Sequence, residues 1–152
     1  MAVNADWVAA SVRARAMARR RVGAGACRRI AGRSSIAEAL QDLKGTAYAE
    51  SLTDGGLEEA QRATADAVLW QLRVLAGWLP ARGTRLVRAA AAGLERENVL
   101  GLARHLDGGP ERPEHALGAL ATAWPRLRGS TSREELDTAL RRSPWGDPGE
   151  GG

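Results

Sequence analysis

The chain has 152 residues, 44% hydrophobic and 26% charged, with a formal net charge of +4. That balance fits one globular domain or slightly more, and it excludes a collagen-like or wholly disordered chain. The longest stretch free of charge runs from His115 to Pro125, far short of the ~20 apolar residues that span a bilayer. The first Arg cluster follows the N-terminal apolar residues instead of preceding them, the reverse of a secretory signal. Cys27 is the single cysteine, so no disulfide can form within the chain. Together these features predict a reduced, cytoplasmic protein.

Charge is arranged in blocks. Residues 1–33 hold eight Arg against Asp6, a balance of +7, and residues 34–72 hold seven acids against Lys44 and Arg62, a balance of −5. With five Trp, one Tyr and no Phe, the core must come mostly from Leu, Val and Ala.

The first element is a long helix over 7–31. Trp7, Ala10, Ala14 and Met17 recur at helical spacing, while Arg13, Arg15, Arg19 and Arg20 take other faces, and Gly23 and Gly25 bend or interrupt the helix. Ser35-Ile36-Ala37-Glu38 is a capping box that starts a helix over 35–44, with Ile36, Ala39, Leu40 and Leu43 as its apolar face. A third helix follows Gly55-Gly56, runs over 57–79 with a wide Leu, Ala and Val stripe, and stops at Pro80. Trp70 and Trp78 share one face of it as packing anchors. Two shorter helices are expected over 84–92 and 94–106, then a break at Gly108-Gly109-Pro110 and Pro113, a weak helix over 114–122, and a last helix over 132–142. No segment alternates with the two-residue period of a strand, so the fold class is all-α.

One pattern occurs twice. Ser35-x-x-Glu38, Leu43, Thr46 and Tyr48 are matched by Ser132-x-x-Glu135, Leu140, Ser143 and Trp145, every pair offset by 97 residues. A capping box alone is common, whereas the hydroxyl-x-aromatic tail in register points to an internal repeat.

The catalytic inventory is poor. His105 and His115 have no carboxylate or Cys at ligand spacing and read as a helix-end and a surface histidine. Cys27 lies beside Arg28 and Arg29 but lacks the further groups of a nucleophile constellation, and it reads as a half-buried thiol. Gly23-Ala-Gly-Ala26 lacks the Lys-Ser/Thr ending of a phosphate loop. Glu58 and Glu59 suit a helix start. The expectation is a non-enzyme with no catalytic residue, no metal and no cofactor. The Arg-rich first helix offers three readings: a solvated or internally paired face, a surface for an acidic protein partner, or phosphate contacts to nucleic acid without a helix-turn-helix, zinc finger or aromatic platform.

The run from Trp7 to Met17, with its Arg13-Ala-Arg15-Ala-Met17 ending, resembles the opening of the V-ATPase C/d family, which holds the C-type adaptor of bacterial and archaeal A/V-type ATPases and the d-type adaptor of eukaryotic V-ATPases. Leu43-Lys-Gly-Thr46-Ala-Tyr48 with Leu52 is similar to that family's leucine, threonine, tyrosine segment. Leu94-Glu-Arg-Glu-Asn98 through Arg104 is similar to its second signature, an acidic, Asn-containing start followed by Leu and Arg. The resemblance covers residues 7–145 and implies helical modules around an incomplete pseudo-threefold repeat. Its modules would be 1–93 and a partial second at 94–145, ahead of a disordered tail at 146–152.

It further implies a non-catalytic adaptor between central stalk and membrane ring, in a rotary ATPase that moves protons or sodium. The partners are then the central-stalk proteins and the membrane c ring, at the cytoplasmic face of the membrane, with no small-molecule substrate. Arg13, Arg15, Met17, Tyr48, Asn98 and Arg104 become residues of a module interface or partner contact. Family members have three modules, so this chain is expected to be a truncated or partial relative, with residues 94–152 weakly packed and the first module stable around Trp7, Leu40, Leu69 and Leu75. The competing reading is a small basic helical nucleic-acid-binding protein.

Overall fold

The computed structural model describes residues 2–52 and 56–147, with side chains from residue 5 onward. It contains seven α-helices among the described residues: α1 Ala2–Arg19, α2 Ala24–Ala31, α3 Ile36–Lys44, α4 Leu57–Trp78, α5 Ala81–Leu106, α6 Trp124–Leu127 and α7 Arg133–Arg141. Two short 3-10 turns, Ala49–Ser51 and Gly118–Leu120, lie between them, and no strand occurs among the described residues. The all-α class holds. The chain divides into two compact units, Met1–Ala81 and Arg82–Gly152; the boundary expected between residues 93 and 94 falls inside α5. Of the expected tail, residues 148–152 lie outside the described residues, as does Gly55 before α4.

In the first unit α1 packs on α4 and α2 on α3. The break between α1 and α2 comes where expected. Gly23 has φ 83°, a left-handed conformation open to glycine at little steric cost. The core is built from small residues, with Ala10, Ala60, Ala63 and Ala76 buried beside Leu40 and Leu69. The expected Trp anchors are not part of it: Trp7, Trp70 and Trp78 are 38%, 52% and 54% exposed. Alanine faces let helix backbones approach too closely to admit an indole between them.

In the second unit α5 is one continuous helix, not the expected pair over 84–92 and 94–106. Gly93 costs only about 1 kcal/mol inside a helix. Val87, Ala91, Glu95 and Asn98 are all buried, so the packing face runs unbroken past it. The expected helix over 114–122 is also absent: that segment is irregular apart from the turn Gly118–Leu120. Backbone groups of His115, Ala119 and Thr122 are bonded to α5 side chains, which removes donors and acceptors a helix would use. Leu117, Leu120, Leu127 and Leu136 are at most 2% exposed and form the core with the α6 and α7 helices. Among the described residues, the largest fully buried side chains all lie in this unit. The second segment, expected to be weakly packed, thus has a buried core of its own.

The two repeated segments have the same local structure. Ser35 (φ −142°, ψ 156°) and Ser132 (φ −141°, ψ 160°) each cap their helix by accepting the N–H of the Glu three residues on. The residue before each cap, Ser34 or Thr131, donates its hydroxyl to that same Glu, at 3.0 and 2.9 Å. At the far end the N–H groups of Thr46 and Ser143 bond the carbonyls of Leu43 and Leu140, both at 2.9 Å. The hydroxyls of Thr46 and Ser143 then accept the N–H of Tyr48 and Trp145 at 3.2 and 3.1 Å. The match extends upstream, where Arg33 and Ser130 donate their N–H to Ile30 and Leu127. Each copy is thus a short helix, a Gly-containing turn (Gly32 or Gly129), a capped helix and a hydroxyl turn.

Candidate interaction site

Glu95, on the buried face of α5, is bonded to three backbone amides. It is 1% exposed. Its Oε1 accepts the N–H groups of Thr122, Ala123 and Trp124 at 2.9, 2.7 and 2.6 Å, and Oε2 accepts Thr122 again at 3.1 Å. These are the free amides at the start of α6, whose own N-cap Ala123 has no side-chain oxygen. A carboxylate there satisfies orphan donors and matches the positive end of the helix dipole.

One turn along α5, Asn98 grips the same loop. Its Oδ1 accepts the His115 N–H at 2.7 Å and its Nδ2 donates to the His115 carbonyl at 3.0 Å. The His115 ring lies 3.1 Å from Glu97, and the Trp124 indole N–H donates to Glu114 at 2.8 Å. Arg88, nearer the start of α5, donates to the Ala119 carbonyl at 2.9 Å. His115, Ala119 and residues 122–124 are therefore held by side chains of one helix. His115 is 6% exposed, contrary to its reading as a surface residue, while His105 sits at the exposed end of α5 as expected.

The six residues that the resemblance singled out are divided between the two units. In the first, Arg15 is exposed, and Arg13, Met17 and Tyr48 are half-buried. The Nε of Arg13 is buried without a hydrogen-bond partner. Tyr48 follows the Thr46 turn and precedes the 3-10 turn Ala49–Ser51. In the second unit Asn98 is buried in the clamp and Arg104 is exposed near the end of α5. Sequence reasoning missed Glu95 as a clamp, although an acid on the Val87, Ala91, Asn98 face was a readable signal, since a buried carboxylate must find donors.

Three ion pairs, made by two arginines, mark the capped helices. Arg33 donates to both carboxylate oxygens of Asp42, at 2.8 and 3.0 Å. This pairing raises the Arg33 pKa and holds the Asp42 carboxyl below its ordinary value. It links the basic first block to the acidic second one. Arg133 bridges Asp137 at 3.2 Å and Asp107 at 2.9 Å, and the Asp137 hydrogen bond is the main cause of its raised pKa. Glu135 is held below its ordinary value chiefly by the N–H of Thr131. Cys27 is exposed, not half-buried. Among the described residues no group of three or more His, Cys, Asp or Glu is placed to hold a metal, and no helix is long and apolar enough to cross a membrane.

No family model, curated protein or solved structure matches the chain.

Proposed function

We propose that the chain is a non-catalytic adaptor between the central stalk and the membrane ring of a rotary V/A-type ATPase, supporting ATP-driven movement of protons or sodium. The observation that carries this reading is the position of Asn98. It lies in the segment 94–104 that resembles the family's second signature, and it is a buried clamp on His115, beside Glu95 on residues 122–124. A side chain so placed shapes a helical module and meets no substrate, as a torque-transmitting part requires. The duplicated capped-helix unit supports the same reading, because it supplies two of the related modules that such an adaptor stacks. Its place is the cytoplasmic face of the membrane, reached through the complex.

The test is reconstitution with the purified central-stalk protein and detergent-solubilised c ring from the same organism. The expected result is a complex containing both, which Asn98→Ala weakens together with the thermal stability of the second unit. Failure to join either component overturns the reading. A second reading, a small basic nucleic-acid-binding protein, draws on the exposed Arg15, Arg19, Arg28 and Arg29. It predicts salt-dependent binding to duplex DNA that the adaptor reading does not require.

A further inference from the structure

We infer that α1 and the turn after it form a docking surface for a bilayer rich in anionic phospholipid. The inference does not rest on the adaptor reading. Residues 7–37 contain no Asp or Glu. Within them Arg15, Arg19, Arg20, Arg21, Arg28 and Arg29 are exposed. None is held in an ion pair with another described residue, whereas Arg33, at the edge of the segment, is committed to Asp42.

What decides between phosphate-bearing partners is the apolar part of the same surface. The buried side of α1 is marked by Ala10, which is 2% exposed, with Ala14 and Met17 half-buried beside it. Opposite them, Val8, Val12, Arg15 and Arg19 follow one another at four- and three-residue steps and so form one ridge. Val8 and Val12 are 63% and 60% exposed. Asp6 is the only acid described on α1.

A nucleic-acid backbone would reward the arginines and gain nothing from exposed valines. A bilayer interface rewards both: side chains such as Val8 and Val12 enter the acyl boundary while guanidinium groups reach headgroup phosphates. The helix then lies along the surface, its apolar end and its basic end touching the membrane together.

The experiment is co-sedimentation of the full chain with vesicles of phosphatidylcholine alone or with about 30 mol% phosphatidylserine. Binding is expected to the mixed vesicles and not to phosphatidylcholine alone, and it should disappear at about 1 M salt. Arg15→Glu with Arg19→Glu should weaken it at least tenfold, about fivefold per charge removed. Arg20→Gln with Arg21→Gln, in the turn after α1 and outside the helix, should weaken it similarly, which keeps the test decisive if the first pair disturbs folding. Val8→Ser with Val12→Ser should weaken vesicle binding about fivefold while leaving any binding to duplex DNA unchanged. Three results would each overturn the proposal: no binding to the mixed vesicles, arginine variants that bind like the parent, or a valine pair without effect alongside tighter binding to DNA than to vesicles.

Discussion

The carboxylate of Glu95 lies 2.6 Å from the backbone nitrogen of Trp124, 29 positions further along the chain. This bond and its neighbours to residues 122 and 123 fix the start of α6 on α5. Glu95→Gln keeps the shape but replaces a charged acceptor by a neutral amide whose NH2 faces other donors. The expected loss is about 2 kcal/mol, and Glu95→Ala, which leaves three amides unsatisfied, should cost about 3 kcal/mol or more. Urea unfolding of each variant measures this. Parent-like midpoints would show that water replaces the carboxylate at no cost.

The parts legible in the sequence were those decided by local chemistry. Ser35 and Ser132 were readable as caps because each needs only the Glu three residues later, and Gly23 because its left-handed backbone excludes most other residues. The irregular run 114–124 was not readable, since its shape is set by Glu95 and Asn98 from another element, and no local rule reports that Asn98 will take both backbone groups of His115. The Trp residues misled for a related reason. Trp70 and Trp78 share a helical face, but the alanines of α1 and α4 bring the backbones too close to bury them. Of the candidate residues, Asn98 was found through resemblance, while the dependence of its loop on Glu95 became visible only in three dimensions.

Both copies of the repeat depend on one hydroxyl. Ser35→Ala and Ser132→Ala each remove a bond to the amide of the third following residue, at 3.3 and 3.2 Å. Each should cost about 1 kcal/mol. Because the two caps lie in different units, their effects on a thermal melt should add within about 0.5 kcal/mol. A strongly non-additive double variant would mean that the two copies fold as one.

Acid should weaken both capped helices. Asp42, bonded by Arg33, and Glu135, bonded by Thr131, are held below their ordinary values of 3.8 and 4.5. In the window between the folded and unfolded values the unfolded chain binds more protons, so stability rises with pH. Their contribution is complete above the unfolded values and is lost as pH falls through the folded ones. Asp42→Asn and Glu135→Gln should therefore flatten the fall of melting temperature with pH below the ordinary carboxylate range. Since Glu135 is exposed and Asp42 only half-buried beside an exposed Arg33, the change should be small and should shrink further in high salt for the Arg33–Asp42 pair.

Core density predicts where the chain resists opening. Leu127 and Leu136 are each 0% exposed, whereas the first unit's buried core is mainly alanine with Leu40 and Leu69. Hydrogen exchange should be slower in α5 and α7 than in α1 and α2. Leu127→Ala should cost about 2–5 kcal/mol and abolish that difference. Equal protection of both units in the parent would contradict the packing argument.

Arg13 is the residue where stability and partner binding should separate. Its Nε is buried and bonded to nothing among the described residues, a state that costs about 1–3 kcal/mol when a donor leaves water unpaired. Arg13→Met keeps an unbranched apolar stem of similar length and removes the donors, so it should raise the melting temperature or leave it unchanged. Arg15→Met, two positions on and exposed, should leave the melting temperature unchanged, which controls for the loss of one positive charge. If Arg13 serves a partner, one of the two roles the resemblance implies beside a module interface, the same Arg13→Met chain should assemble less well with the central-stalk protein although it is at least as stable. Calorimetry and titration on one preparation read both quantities. A variant that is less stable and binds normally would show that Arg13 is a structural residue whose partner group forms in solution.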